Sequence, residues 1–302
     1  MTTTLGRPPV RRPGSRPRRP GAGRERTHRP TVSRGQWLTY AVLVVGVCLT
    51  LMPFVWMVLG SFKSQGEILR NPDGWLPDAP TLGNYRFWFS GLHIGTYFEN
   101  SVLVALVTVA GNLVFCSMVG YALAKLEFPG KRPLFLLVMT MLMVPGTVTF
   151  VPLFVLVGRL HMIDTYPGLI LPYLASPLGV FLMRQFIRSV PDSLIEAARI
   201  DGAGELRIFA RVVLPLCGPP LATLGILTFL SSWNNFLWPL VVAQSQDKYT
   251  LPVALSLYST GQQATDYGLL LAGSVMVITP IVLVFVLLQR WFVQGIAATG
   301  IK

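Results

Sequence analysis

The chain has 302 residues, of which 52% are hydrophobic and 13% charged, against about 25% charged in an ordinary soluble domain. Its 25 Lys and Arg outnumber 13 Asp and Glu, for a formal charge of +12, and its mean hydropathy is +0.56. These values exclude a soluble globular protein, and the apolar content excludes disorder over the body of the chain. A disulfide framework is excluded as well: Cys48, Cys116 and Cys217 lie in or beside apolar stretches, with no paired spacing. An all-α polytopic membrane protein is the class that remains.

The first element in chain order is a basic tail. Residues 1–36 hold ten Arg and a single acid, Glu25, so this stretch alone carries +9 and the remaining 266 residues only +3. Rich in Pro and Gly and poor in apolar residues before Trp37, it cannot bury a core and is expected to be disordered. Its charge suits a cytoplasmic topological anchor attracted to anionic lipid. Nucleic-acid binding is disfavoured, because the aromatic platforms and fold of such a module are missing. The apolar run that follows is too long for a signal-peptide core and has no A-x-A site after it, so it reads as an uncleaved membrane helix.

Six stretches then reach the roughly 20 apolar residues that a bilayer requires. They are 38–59, 101–124, 134–157, 168–186, 219–242 and 269–288, and Arg184, near the end of the fourth, is the one charge among them. With the tail placed inside, the inner segments hold 20 of the Lys and Arg and the outer loops five, namely Lys63, Arg70, Arg86, Arg159 and Lys248. The positive-inside rule therefore predicts six spans with both termini in the cytoplasm. The expected organisation is a tail over 1–36 and a six-helix transmembrane domain over 37–302. Pro53, Pro145, Pro152, Pro172, Pro177, Pro239 and Pro280 fall inside the spans, where proline kinks a helix. Trp75, Tyr85, Trp88 and Tyr97, in the long outer loop, are expected at the headgroup level.

The loop between the fourth and fifth spans, 189–215, is the most informative segment. Ser193 and Glu196 have the spacing of a capping box and Pro191 suits a helix start. A short helix through Glu196, Ala197, Ala198, Arg199 and Ile200 is expected to stop at Gly202, beside Asp201, because glycine takes the left-handed conformation of a C-terminal cap. A second helix is expected to place Leu206, Phe209 and Val213 on one face, and Arg207 and Arg211 on another. The result is an elbow with an exposed Glu–Arg pair, suited to a groove on a cytoplasmic partner.

Glu196-Ala197-Ala198, Asp201-Gly202-Ala203, Phe209 and Leu214-Pro215 match the EAA loop of ABC importer permeases. The pieces PTLGNYRFWF (80–89), NSVLVAL (100–106), GYALAKLEFPGKRPLF (120–135), VPLF (151–154), WNNFLWPL (233–240) and YTLP (249–252) occur in the same order. From about residue 80 onward the chain resembles the maltose-type permease subunit of carbohydrate-uptake ABC importers; the Arg/Pro tail is outside that pattern. The resemblance implies a prokaryotic cytoplasmic membrane and four kinds of partner: a second homologous permease, two ATP-binding subunits, an extracytoplasmic solute-binding protein, and a sugar. It also implies that Glu196, Ala197, Ala198, Arg199, Asp201, Gly202 and Ala203 form the coupling helix seated in the ATPase, with Glu196 meeting a basic group there. No cofactor is expected in this chain, ATP and Mg being bound by the partners.

The chain's own chemistry agrees with a pore subunit. Its one Gly-Lys, Gly130-Lys131, is followed by Arg132 rather than Ser or Thr, so no Walker A loop exists. His28, His93 and His161 are scattered and no metal-ligand spacing occurs. The polar residues inside the fifth span, Ser231, Asn234 or Asn235, and Trp238, share a helical face on which an amide beside an indole suits a sugar. Interhelical glue is the alternative for them. Tyr173 and Ser176 in the fourth span are further candidates for the substrate path. Another solute on the same fold, a glycerol phosphate or other polyol, is the alternative within transport; an anionic solute would favour extra basic residues near the path. A stand-alone secondary transporter would place acids or bases within the membrane, and a membrane enzyme would require a catalytic constellation.

Overall fold

The computed structural model describes residues 34–259 and 265–300. The basic tail lies almost wholly outside this range, as does Lys302. The chain forms two compact units, residues 1–50 and 51–302. Of the first, residues 34–50 belong to helix α1 (Arg34–Gly60).

Among the described residues every regular element is a helix. After α1 come the short α2 (Gln65–Arg70) and α3 (Gly83–Arg86), the latter running into a π turn, Phe87–Gly91. Helix α4 (Ile94–Lys125) is 32 residues long, about 48 Å at 1.5 Å per residue. Next are α5 (Lys131–Met143) and α6 (Gly146–Arg159), then α7 (Tyr166–Ile170) with a 3-10 turn over Leu171–Tyr173, and α8 (Pro177–Arg188). The elbow comprises α9 (Asp192–Ile200), α10 (Glu205–Ile208), a π turn over Phe209–Val213, and α11 (Leu214–Leu216). Helices α12 (Gly218–Trp233), α13 (Leu237–Val242), α14 (Leu251–Ser259) and α15 (Tyr267–Gly300) complete the chain.

The six expected spans are not six straight helices. Three helices are long and apolar enough to cross a membrane unbroken, at Trp37–Gly60, Ile94–Lys125 and Tyr267–Leu287. The others are bent pairs: α5 and α6 meet at 104°, α7 and α8 at 43°, and the α10–α11 segment meets α12 at 84°. Proline accounts for the first two bends, since it disfavours the helical conformation in the residue before it. Val144, ahead of Pro145, has φ −81° and ψ 118°, and Ser176, ahead of Pro177, has φ −122° and ψ 140°. The expected fifth run breaks again between Trp233 and Leu237, because Pro239 cannot donate to the carbonyl of Asn235 and its ring crowds that carbonyl.

Helix α4 is the spine. Its Tyr121 and Leu123 join a core with Met183, Ile187, Ile195, Ile208 and Val213 at the elbow end. Val104 joins a second core with Leu169, Trp238 and Val242, and Tyr97 and Ala105 a third with Trp233 and Leu251. Helices α4 and α8 approach through glycine. A Cβ on Gly120 would lie 2.9 Å from the Arg184 nitrogen and from Met183 Cβ, and one on Gly179 would lie 2.8 Å from Cys116 Sγ. Small residues at such contacts let backbones close up where no water is present to drive association.

At the end opposite the elbow, residues 61–93 pack inward. Buried Lys63 donates to the Gly74 carbonyl at 2.6 Å, and buried Glu67 accepts the Asp78 amide at 2.8 Å. Trp88 and Tyr97 are core residues rather than headgroup-level aromatics, being 0% and 1% exposed. Each polar tip has an internal partner: Trp88 Nε1 donates to the Leu269 carbonyl at 3.0 Å, and the Tyr97 and Tyr258 hydroxyls lie 3.2 Å apart. Trp75 remains exposed.

Candidate functional site

The elbow is built by local sequence. Helix α9 starts at Asp192, with Pro191 in extended conformation at the cap and no side-chain capping bond. The expected Ser193–Glu196 capping box is therefore not formed, because proline at 191 starts the helix one residue before Ser193 and puts that serine in the first turn. At the other end Gly202 has φ +77°, its amide bonds the Arg199 carbonyl, and the Ala203 amide bonds the Ala198 carbonyl, both at 3.0 Å. These two bonds constitute a Schellman stop, with Ala198 and Ala203 both packed on the core beneath.

The second leg differs from the expected single helix. The π turn at Phe209–Val213 shifts the helical face, so Ile208, Phe209 and Val213 are buried while Leu206 is 73% exposed. Glu196, Arg199, Asp201 and Gly202 are exposed, as is Ile200 at 85%. Arg199 pairs across the turn rather than with Glu196: its Nε donates to Glu205 Oε1 at 2.8 Å. That bond holds the Arg199 guanidinium above its ordinary value. The end of α4 grips both legs. The Tyr121 hydroxyl donates to Glu205 Oε2 at 2.6 Å. Lys125 Nζ donates to the Val190 carbonyl at 2.5 Å and to Asp192 Oδ1 at 2.7 Å. The Lys125 hydrogen bond and charge hold the Asp192 carboxyl below the usual carboxylate range. Sequence reasoning missed Tyr121, Lys125 and Glu205; the available signal was the i, i+4 spacing of a tyrosine and a lysine at the end of a long apolar helix.

A cavity of about 380 Å³ lies between α4, α6, α7–α8 and α12. Thr108, Asn112, Thr149, Tyr173, Ser176, Thr228, Ser231, Ser232 and Asn235 give it polar groups, and among the described residues no Asp, Glu, Lys, Arg or His lines it. Of the expected path residues, Tyr173, Ser176, Ser231 and Asn235 come together on its wall, whereas Asn234 and Trp238 do not. The helix break turns Asn234 outward, its Nδ2 donating to the Leu230 carbonyl at 2.9 Å. Trp238 is 1% exposed and stands edge-on to Phe150 and Tyr173, with ring centroids 5.8 and 5.9 Å away.

Prolines explain two of the polar contacts behind this wall. Pro172 cannot bond the Gly168 carbonyl, which accepts Trp238 Nε1 at 3.1 Å. Pro177 cannot bond the Tyr173 carbonyl, which accepts Asn112 Nδ2 at 2.7 Å. Each carbonyl that proline frees is thus re-satisfied by a side chain from another helix. Asn112 Oδ1 accepts the Ser176 hydroxyl at 2.8 Å. Thr108 Oγ1 is buried on the cavity wall without a partner. Neutral hydroxyl and amide groups beside an aromatic ring can hold an uncharged polyhydroxy solute.

The profile of the family described as the binding-protein-dependent transport system inner membrane component matches residues 116–298. The chain belongs to this family. The match takes in the whole elbow and most of the cavity wall. This inner membrane component is 43% identical to the arabinooligosaccharides transport system permease protein AraQ of Halalkalibacterium halodurans, over 88% of its own length and 96% of that protein's. It is 35% identical to the sn-glycerol-3-phosphate transport system permease protein UgpE of Pectobacterium atrosepticum, over 85% and 94% of the two lengths. Among solved structures, a chain of a bacterial ABC transporter that imports the acidic polysaccharide alginate shares its fold, with a TM-score of 0.76 at 24% identity. That match covers 87% of this chain and 99% of the other.

Proposed function

We propose that the chain is the pore-forming permease subunit of an ATP-driven ABC importer for a neutral mono- or oligosaccharide. The similarity to an arabinooligosaccharide permease over nearly the full length of both proteins carries the reading. In this reading the three unbroken helices, the bent pairs α5–α6 and α7–α8, and α12 with α13 make six spans, with the termini and the elbow in the cytoplasm. A second homologous permease completes the pore, two ATP-binding subunits supply hydrolysis, and an extracytoplasmic binding protein delivers the sugar. Glu196, Ala197, Ala198, Arg199, Asp201, Gly202 and Ala203 form the coupling helix, whose exposed side chains enter a cleft of the ATPase. Closure of the ATPase pushes the elbow, and the grip of Tyr121 and Lys125 passes that push to α4, the helix that also carries Thr108 and Asn112. Tyr173, Ser176, Ser231 and Asn235 line the sugar path, while Asn234 and Trp238 support it from outside the cavity.

The similarity to a glycerol-3-phosphate permease favours a second reading, a polyol phosphate. The cavity wall counts against it, because a phosphate calls for cationic side chains and the wall has none. Copurification from native membranes, followed by reconstitution into liposomes, tests the reading. A second permease and an ATPase should accompany the chain, and the liposomes should take up a neutral sugar with ATP inside and binding protein outside. Recovery of the chain alone, or uptake that needs only an ion gradient, would overturn it.

A further inference from the structure

Where α5 begins and α8 ends, a cleft distinct from the sugar cavity is lined by Glu127, Lys131, Arg132, Phe135, Leu136 and Arg184. Its volume is about 420 Å³. Three cations face one acid, and that acid is committed: Glu127 Oε1 pairs with Lys131 Nζ at 2.9 Å. Arg184 Cζ stands over the Phe135 ring, 3.7 Å from its centroid, and Arg184 Nε donates to the Leu123 carbonyl at 3.3 Å. Among the described residues no acidic side chain pairs with Arg184 or Arg132, and Arg188 adds a further positive charge one turn beyond Arg184. Phe135 and Leu136 supply the apolar lining of the cleft. No residue of α5 is buried, and Leu134, Leu136 and Leu137 are 43%, 64% and 51% exposed.

We infer that this cleft is a binding site for the headgroup of an anionic phospholipid. The inference rests on the membrane placement given above, in which this end of α5 and α8 meets the cytoplasmic leaflet. Uncompensated cations at the start of a helix whose leucines are exposed match a molecule with a phosphate at one end and acyl chains at the other. An acidic peptide would satisfy the cations and leave the leucines bare. Anionic lipid concentrates at basic clefts between membrane helices on the cytoplasmic side, each cation adding to the attraction. Arg184 belongs to α8, which packs on α4 through Gly120 and Gly179, so a lipid bound here touches the same helix pair that holds the elbow.

The test uses the chain purified with whatever subunits accompany it, in nanodiscs of mixed phosphatidylglycerol and phosphatidylcholine. Retained lipid is counted by native mass spectrometry. The wild type should keep phosphatidylglycerol in preference to phosphatidylcholine. Arg132→Gln, on the surface and outside the packing, should lower that preference several-fold, and Arg132→Gln with Arg184→Gln should lower it roughly tenfold or more. Arg184→Lys, which keeps the charge but not the guanidinium over the ring, should retain most of it. Equal retention of the two lipids by the wild type, an unchanged preference in the double variant, or displacement of the lipid by millimolar inorganic phosphate would overturn the site. Lipid retention is read whether or not an ATPase copurifies, so failure of the lipid site is distinguishable from failure of the importer reading.

Discussion

The hydroxyl of Tyr121 donates to Glu205 Oε2 at 2.6 Å while the other oxygen of the same carboxylate accepts Arg199 Nε at 2.8 Å. One side chain therefore joins the two legs of the elbow to each other and to the spine helix. Tyr121→Phe removes only the link to α4. We expect assembled transporter at normal levels, ATP hydrolysis retained, and sugar delivered per ATP reduced severalfold. Glu205→Gln should give a similar loss, and the two together no more than either alone, because coupled residues are non-additive. Full coupling in Tyr121→Phe, measured as uptake against hydrolysis in liposomes, would remove the Tyr121–Glu205 contact from the transmission path and leave Lys125 as the grip of α4.

Gly202 and Gly204 make a matched pair. A side chain at either meets nothing within 4 Å, so space does not distinguish them. Conformation does: Gly202 has φ +77° and Gly204 has φ −71°. Gly202→Val should strain the elbow by about 1–2 kcal/mol and uncouple hydrolysis from uptake, with insertion intact. Gly204→Val should transport nearly normally. Identical uptake by the two variants would contradict a role for the left-handed turn.

Asn112→Leu leaves the Tyr173 carbonyl, already freed by Pro177, with no donor. The expected cost is about 1–3 kcal/mol, seen as a lower melting temperature of the purified protein. Ser176→Ala, which removes a hydroxyl bonded to the same amide, should cost less. If Asn112→Leu melts no earlier than the wild type, the proline-frees, asparagine-fills account of this bend is wrong.

Asn234 and Asn235 separate the cavity wall from its support. Asn235→Ala should raise the sugar concentration needed for half-maximal uptake several-fold, about 1 kcal/mol for one lost hydrogen bond. Asn234→Ala should leave it within twofold. A larger effect at Asn234 would place the path on the other side of the helix.

Asp164 Oδ1 accepts the Ser245 amide, the Gln244 amide and the Ser245 hydroxyl at 2.9, 2.9 and 3.0 Å. These bonds, that from the Ser245 amide foremost, hold its carboxyl below the usual range. Because the folded value is depressed, the stabilisation is fully present above the unfolded value of about 3.9 and is lost as pH falls through the lower folded one. Melting followed from neutral pH downward should therefore show Asp164→Asn destabilised relative to wild type, with the gap closing in acid. A gap that stays constant with pH would mean that charge plays no part in this clip.

Much was legible in the sequence because it rests on local physics. Apolar run length marked the membrane-crossing regions, and Gly202 marked the stop of α9, since only backbone conformation is at stake there. Trp88, Tyr97 and Trp238 were not legible. Whether an aromatic ring lies at a headgroup or in a core depends on a partner carbonyl far away in sequence, such as Leu269 for Trp88 or Gly168 for Trp238. Leu206 misled for another reason: a π turn beginning at Phe209 shifts the helical face, and no composition signal announces it.

By itself the sequence determined that this is a membrane-embedded helical chain with an elbow carrying the importer signature, because hydropathy, charge bias and a glycine turn act within a few residues of one another. Only the tertiary structure decided which polar residues face the cavity and which brace it, and that Tyr121, Lys125 and Glu205 tie the elbow to the spine. Those outcomes depend on where prolines bend the apolar runs and on which distant side chain fills each freed carbonyl, and such pairings exist only once the helices are packed.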